Sequence, residues 1–262
     1  MVRSFTDQLG RQVQINYPPQ RIISLVPSQT ELLFDLGLQA NIVGITKFCN
    51  HPASLVKTIA KAGGTKQLNF DTIQNLKPDL IIGNKEENER TQIEALMHSY
   101  PVWMSDIATL TGALQMITAV GLITGTQSSA DGIVGRILTG FDQFEPLNKP
   151  MTVVYLIWQK PFMVAGRGTF IDDMLKRCGF VNAVKQDRYP ELSAEDIQNS
   201  QADIVLLSSE PYPFNKKHIA QFQALLPDSK VLLVDGEMFS WYGSRLLHAA
   251  SYFKQLINDI AF

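Results

Sequence analysis

Cysteine is nearly absent from this chain. Cys49 and Cys178 are the only two in 262 residues, too few for a disulfide framework. They fall on opposite sides of a central helical stretch, which argues against a bridge between them. No apolar run reaches the roughly 18 residues that a membrane span needs. No block of basic residues appears, and the formal net charge is −2. Nucleic acid and anionic membrane are therefore poor partners on electrostatic grounds. The opening MVRSFTDQLGRQVQI carries no apolar core of a leader, so either the chain stays in the cytoplasm or a leader has been removed. HExxH, GxSxG, CxxC and P-loop patterns are all missing, and no carboxylate pair has a spacing that argues catalysis. These patterns supply no catalytic residue, and no catalytic cofactor or metal centre is expected.

Apolar residues are plentiful, at 45%, against 18% charged. A chain of this length and composition can build one large core or two smaller ones. After a hairpin-like arm over residues 6–15, continuous apolar runs of strand length recur at 22–26, 41–45, 79–83 and 101–105. Helical segments at 29–36, 71–77, 90–99 and 110–123 alternate with them. Ser28 with Glu31 has the spacing of a capping box, and Gly37 stands where a left-handed cap ends a helix. Strands at 152–158, 181–184, 203–208 and 230–235 then alternate with helices at 170–178, 195–200, 219–226 and 243–260. Such alternation predicts α/β architecture with doubly wound parallel sheets.

Between the two runs lies residues 128–144, SSADGIVGRILTGFDQF. Ala130, Ile133, Val134, Ile137, Leu138, Phe141 and Phe144 share one helical face. At 1.5 Å per residue this helix is roughly 25 Å long. Its three glycines, Gly132, Gly135 and Gly140, are expected to allow close packing. Sequence repeats on either side of it. Asp71-Thr-Ile-Gln-Asn-Leu-Lys-Pro-Asp79 aligns without gaps to Glu195-Asp-Ile-Gln-Asn-Ser-Gln-Ala-Asp203, at a constant offset of 124 positions. The simplest organisation is an N-terminal lobe (1–125), a connecting helix (126–148) and a C-terminal lobe (149–262).

Ligands of open α/β sheets bind beyond the carboxyl ends of the strands, so two such lobes predict a cleft lined by the post-strand loops. Those loops are rich in aromatic residues, including Phe48, Trp158, Phe162, Tyr189, Phe239 and Trp241. Rings give large contact area at little rotamer cost and suit a bulky flat ligand.

The stretches RIISLVPSQTELLFDLGLQANIVGIT, LNFDTIQNLKPDLIIGN, PFMVAGRGTFIDDMLKRCGFVNAV, LSAEDIQNSQADIVLL and GSRLLHAA resemble the helical-backbone substrate-binding proteins of ABC importers. That family receives cobalamin, ferric siderophores and haem, and the cobalamin-binding subgroup is the most similar. The resemblance runs from about Thr6 to the C-terminus. It implies two lobes joined by one long helix, a monomer that captures a metal-bearing chelate, and a permease dimer as partner. It also implies a periplasmic or lipid-anchored location for a chain that has lost its leader. Asp71 and Glu195 match the acids that dock onto permease arginines, Phe48 and Tyr189 match loops that touch ligand, and Arg245 matches an arginine near the cleft. Asn84 departs from the Trp common in cobalamin binders, which puts corrinoid specificity in question.

Other chemistry is thinner. AGRGTF (165–170) places two glycines before a helix, a weak phosphate-binding signal without its third glycine. Cys49 and His51 are spaced as a metal pair or a thiol–imidazole pair, and His51 is also a candidate ligand contact. A cytoplasmic enzyme or ligand sensor on the same two-lobed scaffold is the alternative reading.

Overall fold

The computed structural model describes residues 1–261. The chain divides into two compact units. The first holds Met1–Ile107, Thr111–Thr139 and Tyr242–Leu247; the second holds Ala108–Leu110, Gly140–Trp241 and the rest of the C-terminus from His248.

The first unit begins with an antiparallel hairpin of β1 (Val2–Thr6) and β2 (Gln12–Asn16). Gly10 turns it at a φ of +78°, a left-handed conformation that glycine adopts without a Cβ clash. The main elements follow as β3 (Ile22–Ser24), α1 (Pro27–Asp35), β4 (Ile42–Ile45), β5 (Ala60–Lys61), α2 (Phe70–Leu76), β6 (Leu80–Asn84), α3 (Arg90–Met97), β7 (Val102–Ser105) and α4 (Leu110–Thr124). Five strands form a wholly parallel sheet in the order β5-β4-β3-β6-β7. Every residue of β3, β6 and β7 is buried, which is why their sequences read as unbroken apolar runs. Ile23, Leu25, Ile73, Ile81, Ile93, Leu96 and Val102 share one core.

α5 (Gln127–Asp142) carries the chain from the first unit to the second, which it enters at Gly140. Ala130, Ile133 and Ile137 are its buried residues. Phe141 and Phe144 meet the ring of Phe253 at 6.4 and 6.2 Å. Close packing falls to a different glycine from those expected. A Cβ on Gly132 or Gly135 would meet nothing within 4 Å, whereas one on Gly121 of α4 would stand 2.4 Å from the Ala130 methyl.

The second unit contains β8 (Met151–Trp158), β9 (Phe162–Val164), α6 (Phe170–Arg177), β10 (Phe180–Asn182), β11 (Glu191–Leu192), α7 (Ala194–Asn199), β12 (Ile204–Ser208), α8 (Lys216–Leu225), β13 (Lys230–Val234) and α9 (Gly236–Ser240). α10 (Leu246–Ala261) closes the chain. β10, β8, β12 and β13 run parallel, and β9 with β11 adds an antiparallel extension beside β8. Its own core gathers Val154, Leu156, Val164, Ile197, Val205, Leu207 and Phe222.

The aligned repeats occupy equivalent places in their own units. Ile73 and Ile197 are both buried core residues. Lys77 and Gln201 both leave the helix at a φ of 47°. Asp79 accepts the Gln20 and Arg21 backbone N–H groups at 2.8 Å, just before β3. Asp203 accepts the Thr152 N–H at 2.7 Å and its hydroxyl at 2.8 Å, at the start of β8. Each aspartate fastens the strand after its helix to the start of the unit's central strand.

Candidate functional site

In the first unit, Phe48 stands on the loop after β4 and is 49% exposed. Lys47 Nζ lies 5.1 Å from its ring centroid, a cation–π distance. His51 is half-buried on the same loop, near enough to Glu31 that its charge favours the ionised carboxylate. Cys49, between them, turns inward. It is 3% exposed, with its sulfur 3.1 Å from the Thr30 hydroxyl and 3.3 Å from that of Thr46. Burial pushes its thiol pKa up, which disfavours the thiolate that a nucleophile or metal ligand needs. The described residues contain no group of three or more His, Cys, Asp or Glu placed to hold a metal ion.

Arg245 is committed to Glu31. Its Nε and Nη2 donate to the two carboxylate oxygens at 3.0 and 2.6 Å. Burial pushes the Glu31 pKa up, while Arg245 and His51 act to lower it. This pairing replaces the expected capping box. Ser28 does not cap α1, which starts at Pro27 with no side-chain cap bond. Proline at the first helical position has no N–H to satisfy. Tyr242, three residues before Arg245, donates its hydroxyl proton to Glu87 at 3.0 Å. Asn84, where the family resemblance expected tryptophan, is buried and donates to Ser105 at 3.0 Å.

Asp71 is exposed in the first turn of α2 behind the Asn69 cap, and Glu195 is exposed in the first turn of α7 behind the Ser193 cap. A surface hollow lies beside each. One is lined by Lys47, Gly64, Leu68, Phe70 and Asp71. The other is lined by Lys185, Gln186, Leu192 and Asp196.

In the second unit, Trp158 ends β8 at 39% exposure, with its ring centroid 5.5 Å from that of Tyr212 in an edge-on contact. Phe162 opens β9, half-buried against Phe222 at 5.4 Å. Tyr189 is half-buried, with the Arg188 guanidinium 5.8 Å over its ring. Phe239 corrects the sequence expectation. It is fully enclosed by Tyr155, Tyr252 and Phe253, at 5.1, 6.3 and 4.8 Å, and is a core residue with no surface for a ligand. Trp241 is 5% exposed, and its indole N–H donates to Glu210 at 3.1 Å. Burial pushes the Glu210 pKa up.

The glycine-rich turn at 165–170 serves packing. A Cβ on Gly166 would lie 2.3 Å from the Gln186 carbonyl oxygen. The Thr169 hydroxyl accepts the Asp172 N–H, and Asp172 in turn accepts that of Gly168. Side chains of the protein itself thus occupy donors that a phosphate would need. Sequence reasoning did not show Glu31, Glu87 and Glu210 as the partners of Arg245, Tyr242 and Trp241, because each pair joins residues distant in the chain.

The model of the periplasmic binding protein family matches residues 22–225. The vitamin B12-binding protein of Vibrio cholerae is 25% identical over 199 residues, covering 73% of this chain and 71% of its own length. The cobalamin-binding protein of Halobacterium salinarum is 23% identical over 210 residues, 76% of this chain and 57% of its own. Among solved structures, the periplasmic vitamin B12-binding protein of Vibrio cholerae aligns with a TM-score of 0.81 at 23% identity, over 93% of this chain and 98% of that one. A periplasmic haem-binding protein of Roseiflexus sp. RS-1 aligns with a TM-score of 0.79 at 22% identity, over 93% and 99%. The structural likeness establishes a shared fold.

Proposed function

The chain belongs to the periplasmic binding protein family, and from that premise we propose that it is the substrate-binding component of an ABC importer. Its cargo is a metal-bearing chelate, with a corrinoid such as cobalamin first and haem or a ferric siderophore next. The observation that carries this reading is the family match over residues 22–225, together with vitamin B12-binding relatives that align with most of the chain. The protein binds and hands over its cargo without transforming it. Cys49, the candidate nucleophile of the alternative reading, is buried and its thiol pKa is pushed up by that burial, which supports binding over catalysis.

Phe48, Trp158, Phe162 and Tyr189 supply ring surface for a flat macrocycle, supported by their places on or at the edges of the loops after β4, β8 and β10 and by the partial exposure of each. His51 is the remaining loop contact. Arg245 and Trp241 act behind these residues through Glu31 and Glu210. The reading places the protein in the periplasm or tethered by lipid, as a monomer, with α5 connecting the ligand-holding units. No helix among the described residues is long and apolar enough to cross a membrane.

Absorbance titration with cyanocobalamin, haemin and a panel of ferric siderophores tests the cargo. A saturable one-to-one change with at least one of them is expected; no binding across the panel overturns the reading. Asp71 and Glu195 are the docking acids in this reading. Reversing both charges, as Asp71→Arg with Glu195→Arg, leaves chelate affinity within about twofold, because exposed rim charges add little to binding. Uptake through the partner permease is lost. Uptake at the wild-type rate by the double variant removes the docking role.

A further inference from the structure

Trp103 is fully buried and Trp241 is 5% exposed, so Trp158, at 39%, is the tryptophan that faces solvent. Its ring is braced from behind by a directional chain of hydrogen bonds within the second unit. The Asn215 backbone N–H donates to His218 Nδ1 at 2.9 Å. A backbone N–H can only donate, so Nδ1 is the acceptor and the proton of the neutral imidazole sits on Nε2. Nε2 stands 3.4 Å from the Tyr212 hydroxyl. That hydroxyl spends its own proton on Gln159 Oε1 at 2.8 Å. Gln159 Nε2 then donates to Gln221 Oε1 at 3.1 Å. Every donor meets an acceptor in one consistent direction. Phe214 clamps the same rings, with its centroid 4.7 Å from Tyr212 and 5.3 Å from His218.

The core of the second unit is apolar, and Tyr212 packs against its margin. The relay's effect is to fix Tyr212, the ring against which Trp158 rests, by bonds at its far end. A ring held by directional bonds presents its neighbour in one orientation, which cuts the ordering cost of binding. We infer that His218, Tyr212 and Gln159 are positioning residues that hold Trp158 as a stacking platform for a planar macrocycle, a corrin or a porphyrin. This rests on the chelate-binding reading above and names how one wall of that site is made rigid.

The test uses the intact protein and two probes, cyanocobalamin and haemin, titrated separately. Trp158→Ala removes the platform. Tyr212→Phe removes only the hydroxyl. His218→Asn keeps an acceptor within reach of the Asn215 N–H but lacks the Nε2 donor, so it separates the relay from the helix cap. For whichever probe the wild type binds, Trp158→Ala and Tyr212→Phe weaken affinity about five- to tenfold and His218→Asn about threefold. Thermal midpoints of the last two stay at the wild-type value. Trp158 emission, isolated by subtracting the Trp158→Phe spectrum, becomes more accessible to iodide in both. Wild-type affinity and quenching in Tyr212→Phe and His218→Asn, with binding lost in Trp158→Ala, overturn the relay and leave the chelate reading standing. Wild-type affinity in Trp158→Ala overturns the platform itself. A wild type that binds neither probe but takes up a ferric siderophore overturns the macrocycle platform and leaves the chelate reading standing; one that binds no chelate overturns both.

Discussion

Glu31 and Arg245 lie 214 positions apart and keep side-chain exposures of only 15% and 13%. Removing one partner of such a pair leaves the other charge stranded in poor solvent. Arg245→Ala is expected to cost roughly 3–5 kcal/mol in urea unfolding, and Glu31→Gln combined with Arg245→Met recovers most of it. A double variant as unstable as the single one would show that the pair is not the source of the loss. Glu210 gives a pH signature. Its raised pKa means that the folded chain holds this proton more tightly than the unfolded chain does. Its contribution to stability is therefore full below the ordinary glutamate pKa and is lost as pH rises through the raised value. Wild type should lose thermal midpoint relative to Glu210→Gln across that window, and parallel melting curves would refute the assignment. The sequence showed Arg245 and Trp241 as side chains near a site, but not their partners. An ion pair that bridges the two ends of a chain leaves no local pattern, and burial of the ring of Phe239 depends on Tyr155, Tyr252 and Phe253 arriving from elsewhere.

At the scale of elements, long apolar runs and helical periodicity were readable because each strand or helix buries its own pattern. Three features were not. α1 begins at Pro27 because proline pre-sets the first helical turn, and the Ser28–Glu31 spacing imitated a cap. β9 and β11, of three and two residues, are too short to carry a period and exist only by pairing beside β8. α9, of five residues, has the same difficulty. The repeat, by contrast, marked equivalent helices with equivalent caps. Asn69 accepts the Thr72 N–H at 2.9 Å, and Ser193 accepts the Asp196 N–H at 3.0 Å. Asn69→Ala and Ser193→Ala should each cost about 1 kcal/mol, and the two losses should add, because the caps share no partner. Strong non-additivity in the double variant would contradict their independence.

For the whole molecule, both thiols are free and buried, and burial raises the pKa of each. The native protein should not react with a thiol reagent such as Ellman's reagent, whereas the unfolded chain should show two equivalents of thiol. Rapid labelling of the folded chain would contradict the placement of Cys49. The class of fold was legible from alternation alone, but the path of the C-terminal stretch was not. Residues 242–247 return to the first unit, although the sequence on either side belongs with the second. That return has a consequence for any attempt to halve the protein. A piece ending at Thr139 would lack Arg245, and Glu31 would sit there without its cation. The groove over the Ser28 carbonyl, where a Cβ on Gly243 would come within 2.4 Å, would stand open. The first unit is stitched closed by a strap from the far end of the chain, so a piece that stops at Thr139 should melt below the same unit in the intact protein.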